Sequence, residues 1–123
     1  MTKTFGPYSS IRQAGNYYFV SGQVGVDPET NECGHTVEEQ TAQAITNLEE
    51  LLTLKKMELK DVVKTTIYVK NMSDFVGVNK IYEGFFEQPY PARTTVGVKD
   101  LPHVGGEANI LVEIEVIAYK EAK

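Results

Sequence analysis

Pro91-Ala92-Arg93-Thr94-Thr95-Val96-Gly97-Val98 and, after a glycine-containing loop, Ile110-Leu111-Val112-Glu113-Ile114-Glu115-Val116-Ile117-Ala118-Tyr119 decide how this chain folds. Both runs are rich in the β-branched residues that suit a pleated surface. The polar turn between them predicts that the two strands pair as antiparallel neighbours, with Arg93 brought close to residues of the later strand. Side chains alternate across a strand, so Ile110, Val112, Ile114, Val116 and Ala118 share one face, and Leu111, Glu113, Glu115, Ile117 and Tyr119 share the other. The first face is wholly apolar and belongs in a core. The second sets two carboxylates among Leu111, Ile117 and Tyr119, which fits either a wetted sheet face or a covered one that holds a carboxylate for use.

Working back from this pair, Asp61-Val62-Val63-Lys64-Thr65-Thr66-Ile67-Tyr68-Val69-Lys70 reads as another strand. Val63, Thr65, Ile67 and Val69 alternate in it against Val62, Lys64, Thr66 and Tyr68. Ser73 and Asp74 then signal the start of a helix, with Phe75, Val78, Ile81, Tyr82, Phe85 and Phe86 as its apolar face, and Gln88-Pro89-Tyr90-Pro91 ends it. Gly77 and Gly84 weaken that helix by up to about 1 kcal/mol each relative to alanine, so tight packing is expected at both. Asn79 sits among apolar neighbours and needs a hydrogen-bond partner if it is buried.

Nearer the N-terminus, Thr36-Val37-Glu38-Glu39 matches a capping box. It opens a helix whose stripe of Val37, Ala44, Ile45, Leu48, Leu51 and Leu52 runs to about residue 55. Asn47 is a candidate buried polar anchor. Asn16-Tyr17-Tyr18-Phe19-Val20-Ser21-Gly22-Gln23-Val24-Gly25 reads as a strand with Tyr17, Phe19, Ser21 and Gln23 on one side and Tyr18, Val20 and Val24 on the other. Gly22 and Gly25 predict a bulge or a close backbone approach. Before it, Phe5-Gly6-Pro7-Tyr8-Ser9-Ser10 is a turn or extended entry.

The order strand, helix, strand, helix, strand, strand predicts an α+β fold, a mixed β-sheet with two helices packed on one face. Two helices cover only one face of such a sheet, yet the strands carry apolar residues on both. Self-association with closed symmetry would cover the other face, and the seam would be an ordinary place for a small-ligand pocket.

A chain of 123 residues fits one domain spanning 1–123, and 41% hydrophobic with 24% charged residues marks it as globular. The net charge of −5 argues against broad nucleic-acid binding, which draws on phosphate neutralisation. A single cysteine, Cys33, excludes an internal disulfide and a cysteine-rich metal site. His35 and His103 have no paired nucleophile or ligand cluster, so the sequence implies no metal and no histidine catalysis. No apolar run suggests a secretory signal or a membrane span, so a cytoplasmic protein is expected.

Gly6-Pro7-Tyr8-Ser9, Val20-Ser21-Gly22-Gln23, Gln40-Thr41 with Asn47-Leu48, Val78-Asn79 with Tyr82 and Phe85-Phe86, Pro91-Ala92-Arg93-Thr94, Leu101-Pro102 and Val112-Glu113-Ile114-Glu115 occur in that order over nearly the whole chain. Jointly they resemble the RidA (YjgF-like) family of reactive-intermediate deaminases. The resemblance implies a chorismate-mutase-like fold and a homotrimer with its sites between subunits. It also implies hydrolysis of 2-imino or 2-enamino acids, such as 2-iminobutanoate and 2-iminopropanoate, to 2-keto acids and ammonia, with no cofactor. By the same resemblance Arg93 holds the substrate carboxylate and Glu113 handles the water or proton, while Tyr8, Ser21, Gly22 and Asn79 fall on pocket positions. Thr95 stands where many members carry a cysteine, so it is a substrate-binding candidate without thiol chemistry. The loop His103-Val104-Gly105-Gly106-Glu107-Ala108-Asn109 is longer than the family's link after Leu-Pro and is expected to reshape the pocket mouth.

The chemistry asks for these residue types. A 2-imino acid presents a planar carboxylate beside an electrophilic C=N carbon, and a rigid guanidinium can grip that carboxylate through two parallel hydrogen bonds. A carboxylate at hydrogen-bond distance can take a proton from the attacking water. Two other functions fit a relative of this family: a non-catalytic, regulatory trimer that binds small carboxylates, and a ribonuclease or translation inhibitor, which the acidic balance disfavours.

Overall fold

The computed structural model describes Thr4, residues 6–102 and residues 109–121. Its elements are β1 (Ile11–Ala14), β2 (Tyr17–Val24), α1 (Val37–Leu54), β3 (Val62–Val69), α2 (Phe75–Phe85), β4 (Ala92–Gly97) and β5 (Val112–Tyr119). They build a five-stranded mixed sheet in the order β1-β2-β5-β3-β4. β1–β2, β2–β5 and β5–β3 are antiparallel, while β3–β4 is parallel. Among the described residues no helix is long and apolar enough to cross a membrane.

One face of the sheet carries both helices. Ala44, Ile45, Leu48 and Leu52 of α1 and Val78 and Tyr82 of α2 pack with Val20, Ile67, Val69, Val112, Ile114, Val116 and Ala118 in one core. The apolar β5 face is buried as its alternation predicts. Ile110 is buried too, but in a smaller cluster with Val26 and Leu101. The opposite face has no helix over it, and Tyr17, Phe19, Val63 and Val96 stay exposed there.

The expected antiparallel pairing of β4 with β5 does not occur. β4 lies at the sheet edge beside β3, and β5 is inserted between β3 and β2. The reason is α2: parallel neighbours need a long crossover, and α2 supplies one between β3 and β4. The chain must then pass β3 before β5 can pair, which leaves Arg93 two strands from Glu113.

Two strands are irregular. In β2 the register shifts between Val20, opposite Val116, and Gln23, opposite Ile114. The extra residue at Ser21–Gly22 reverses the alternation, so Val24 pairs with Glu113 and Gln23 with core-facing Ile114, contrary to the simple pattern. In β3 the shift falls between Val62 and Lys64, leaving Val62 5% and Val63 45% exposed, the reverse of the expected side for Val63. The short strand β1, hairpinned to β2, has too few apolar residues for its sequence to declare it.

Local signals hold at α1, where Thr36 Oγ1 accepts from the Glu39 amide at 3.1 Å and the Glu39 side chain accepts in return. At α2 neither expected cap is made. A 3-10 turn over Met72–Asp74 leads into the helix, and Asp74 makes no side-chain cap. Space is tight at Gly77, where a Cβ would lie 3.1 Å from Val37 Cγ1 and closer still to the Glu38 carboxylate of α1, a side-chain end that can swing aside; Gly84 faces open space.

Two buried amides tie the loops to this frame. Asn47 Nδ2 donates to the Val24 and Val26 carbonyls, both at 3.0 Å. Gln40 Nε2 donates to Gly34 O (2.9 Å) and Asn109 O (2.7 Å), while its Oε1 accepts from the Leu111 amide (2.8 Å). Gly25 lets the backbone of the preceding loop lie directly on Gln40. The start of β5, and with it Glu113, is thereby fixed against α1.

Candidate active site

The residues singled out by sequence divide into two groups. Arg93 and Thr95 are on β4, in register with Thr65 and Ile67 of β3, both fully buried on the helix side. Arg93 therefore projects towards α2. Its guanidinium carbon lies 4.9 Å from the Tyr82 ring centroid and 5.6 Å from that of Phe75, and two cation–π contacts fix its plane. The Tyr82 hydroxyl is 3.0 Å from Thr65 Oγ1, which anchors the nearer ring. Burial pushes the Tyr82 phenol up, against smaller lowering effects from the Thr65 bond and the Arg93 charge.

Among the described residues no carboxylate pairs with Arg93. An ordinary surface ion pair therefore does not explain it. Asn79 lies on α2 one turn from both Phe75 and Tyr82, so it shares their face. Asn79 Oδ1 and Thr95 Oγ1 are buried without a hydrogen-bond partner. Buried polar atoms are rarely left so; Asn79 Oδ1 only accepts and Thr95 Oγ1 donates or accepts, so with the Arg93 guanidinium they suit a small ligand that carries an anionic group and an N–H or O–H donor.

The second group is on the sheet's other face. Glu113 is in register with Tyr68 of β3 and Val24 of β2. The β2 bulge brings Gly22 against it so closely that a Cβ at Gly22 would overlap the Glu113 carboxylate. Ser21 Oγ donates to Ser9 O at 2.6 Å and the Ser21 amide to Ser10 O at 2.9 Å, so the bulge also holds the segment that carries Tyr8. Tyr8 is half exposed. Burial, and secondarily the charge of Glu115, push the Glu113 carboxyl up. Glu115 accepts from the Tyr68 hydroxyl at 2.9 Å.

One chain thus presents Arg93, Asn79 and Thr95 at one place and Glu113, Gly22 and Ser21 at another. Sequence reasoning missed Phe75 and Tyr82 as walls of the arginine site, since their helical spacing marks them only as core. It also missed Tyr68, whose alternation is plain but whose neighbour depends on strand register. Residues 103–108 of the loop expected to reshape the pocket mouth lie outside the described residues.

An open cavity of about 540 Å³ lies elsewhere, at the start of α1, lined by Asp27, Cys33, His35 and Glu39 among others. It includes none of the predicted site residues, and burial pushes the Cys33 thiol up, away from reactive thiolate. Among the described residues no three His, Cys, Asp or Glu side chains group as a metal set requires.

The chain is a one-sided α+β sheet with an arginine set against two aromatic rings on one face and a shielded carboxylate on the other. The family model described as Endoribonuclease L-PSP matches residues 1–120, and the chain belongs to this family, the YjgF/RidA family. A RutC family protein of Pyrococcus horikoshii is 41% identical over 97% of this chain and 91% of its own. The 2-iminobutanoate/2-iminopropanoate deaminase of Dermatophagoides farinae is 39% identical over 94% of this chain and 88% of its own. The crystal structure of RidA from an Antarctic Psychrobacter superposes with a TM-score of 0.88 at 34% identity, covering 97% of this chain and 93% of that one.

Proposed function

We propose that this protein is a hydrolytic deaminase that converts reactive 2-imino and 2-enamino acids, 2-iminobutanoate and 2-iminopropanoate among them, to 2-keto acids and ammonia. Its working form is a homotrimer in which Arg93 of one copy meets Glu113 of the next. The observation that supports this is the separation of the two groups on opposite faces of one sheet, which a second copy would be needed to bridge. β4 is a sheet edge and the Glu113 face has no helix over it. The relative from Dermatophagoides bears the name of this activity.

Arg93 takes the substrate carboxylate through two parallel hydrogen bonds, and Asn79 and Thr95 supply polar contacts beside it. Glu113, holding a proton more readily than an ordinary glutamate, gives it to the imine nitrogen and makes the C=N carbon more electrophilic. Water adds to that carbon as the resulting carboxylate takes its proton, giving a carbinolamine. The same proton then goes to the amino nitrogen, the C–N bond breaks, and ammonia leaves as the hydroxyl returns its own proton to the Glu113 carboxylate and becomes the keto oxygen. An enamine enters the same path after protonation at its β carbon.

The test is an assay in which an amino-acid oxidase or dehydratase generates the imine. Wild-type protein is expected to speed the release of 2-keto acid and ammonia, and Arg93→Ala and Glu113→Ala to return it to the uncatalysed rate. Keto-acid binding by calorimetry with no effect of wild type on release would instead identify a regulatory carboxylate binder. The ribonuclease suggested by the family model's description predicts salt-sensitive RNA binding, which a chain of net charge −5 is poorly suited to provide.

A further inference from the structure

The Tyr68 hydroxyl reaches Glu115 Oε1 diagonally across the β3–β5 seam, at 2.9 Å, although Tyr68 is in register with Glu113 and Thr66 with Glu115. The phenol ring therefore runs beside Glu113 while its tip holds the next carboxylate on the same face. From the β2 side the Gly22 backbone closes on Glu113. Glu113 has a wall on each flank and a tethered acidic neighbour along its own strand.

We propose that Tyr68 and Glu115 are a positioning pair for Glu113: the phenol pins the Glu115 carboxylate in place, so that a fixed neighbouring carboxylate raises the proton affinity of Glu113. This rests on Glu113 being the acid–base group proposed above. Two carboxylates at neighbouring positions on one face repel, and unrestrained side chains relieve the repulsion by rotating apart. The bond to Tyr68 denies that movement to Glu115, and Gly22 and the Tyr68 ring deny it to Glu113. Of two such acids, the less solvated one takes up a proton more readily.

The electrostatics agree. Burial first and Glu115 second push Glu113 up, with no hydrogen bond offsetting them. The bond to Glu115 is the main cause that pushes Tyr68 up, so the phenol stays a donor. Other groups leave the balance intact within the protomer. From the β3 side, Lys64 Nζ turns to Thr94 Oγ1 of β4 at 2.8 Å, and Lys70 Nζ, two residues beyond Tyr68, turns to Asn109 Oδ1 at 3.4 Å. From β2, Ser21, Gly22 and Val24 bring no charge, and the segment anchored by Ser21 adds the Tyr8 phenol. β5 adds Tyr119, at the far end of the strand. In the assembled site Arg93 of a second copy is the opposing positive charge, present equally in wild type and in the variants below.

The experiment is a carbon-13 NMR titration of the glutamate carboxyls, with the Glu113 signal identified by its loss in Glu113→Gln, alongside the pH profile of kcat/KM for imine hydrolysis. In Glu115→Gln the Glu113 midpoint is expected to fall by about half a pH unit or more, because the neighbouring charge is gone. In Tyr68→Phe it falls by less, as the released Glu115 swings away. The matching limb of the kcat/KM profile moves with it, while KM changes by less than about twofold, since carboxylate binding is untouched. Both substitutions are near-isosteric, and either one alone suffices should the other fail to fold. A Glu113 midpoint that stays put in the folded variants overturns the positioning pair, whatever happens to the rate. Shifted midpoints in a protein that hydrolyses no imine would overturn the deaminase and leave the pair standing.

Discussion

Arg93 and Glu113 point to opposite faces of the same sheet. Arg93 is in register with core-facing Thr65 and Glu113 with Tyr68, three residues further along β3 and on the other side of it. Two strand spacings and that offset put their α carbons about 14 Å apart. No side-chain rotation within one copy brings a guanidinium and a carboxylate together through the sheet, so a reaction that uses both needs a second copy.

Gly22 tests the carboxylate half. A methyl group at this position occupies the space of the Glu113 carboxylate. Gly22→Ala is expected to lower kcat/KM at least tenfold, about 1.4 kcal/mol of transition-state stabilisation, while circular dichroism shows an intact fold. Full activity would mean that Glu113 is not held where the reaction needs it.

Arg93→Lys tests the other half. It keeps the charge but loses the flat fork between Phe75 and Tyr82. KM is expected to rise about tenfold or more with the fold intact, and activity to be lost completely only in Arg93→Ala. Equal KM in the lysine variant and wild type would show that charge alone suffices.

The uncovered sheet face should hold the assembly together. Phe19, 44% exposed in the single copy, is on that face opposite Ile117. Phe19→Asp is expected to yield folded monomers by sedimentation, because the helix-side core is untouched, and those monomers should be inactive. An active monomer would contradict a site shared between copies.

Gln40 tests the scaffold independently of the chemistry. Gln40→Ala leaves the Leu111 amide and two loop carbonyls without their partner. A loss of about 2–4 kcal/mol in urea unfolding is expected, since stranded buried groups cost more than the bonds themselves. A loss below about 0.5 kcal/mol would mean that water replaces the amide.

Much of this was legible in the sequence wherever the information is local. The capping box at Thr36 and Glu39, the apolar face of β5 and the glycine signals at Gly22 and Gly25 depend on neighbours in the chain, and the structure keeps them. The strand order was not legible, because nothing between Val98 and Ile110 says that β5 will pass β3 and pair on its far side. Nor does alternation reveal which residue a bulge adds. Gly22 announced the irregularity in β2, yet only the register shows that it turns Val24 to the side of Glu113. Sequence could name Arg93 and Glu113, but their placement on opposite faces depends on the register of three strands.

The most direct measurement is activity in mixed assemblies of two inactive variants, Arg93→Ala and Glu113→Ala, co-refolded at equal amounts. If each site takes its arginine from one copy and its glutamate from the next, random assembly regenerates about a quarter of the wild-type sites, and a quarter of the activity should return. A mixture as inactive as its components, with mass measurements showing that the copies have mixed, would contradict the account.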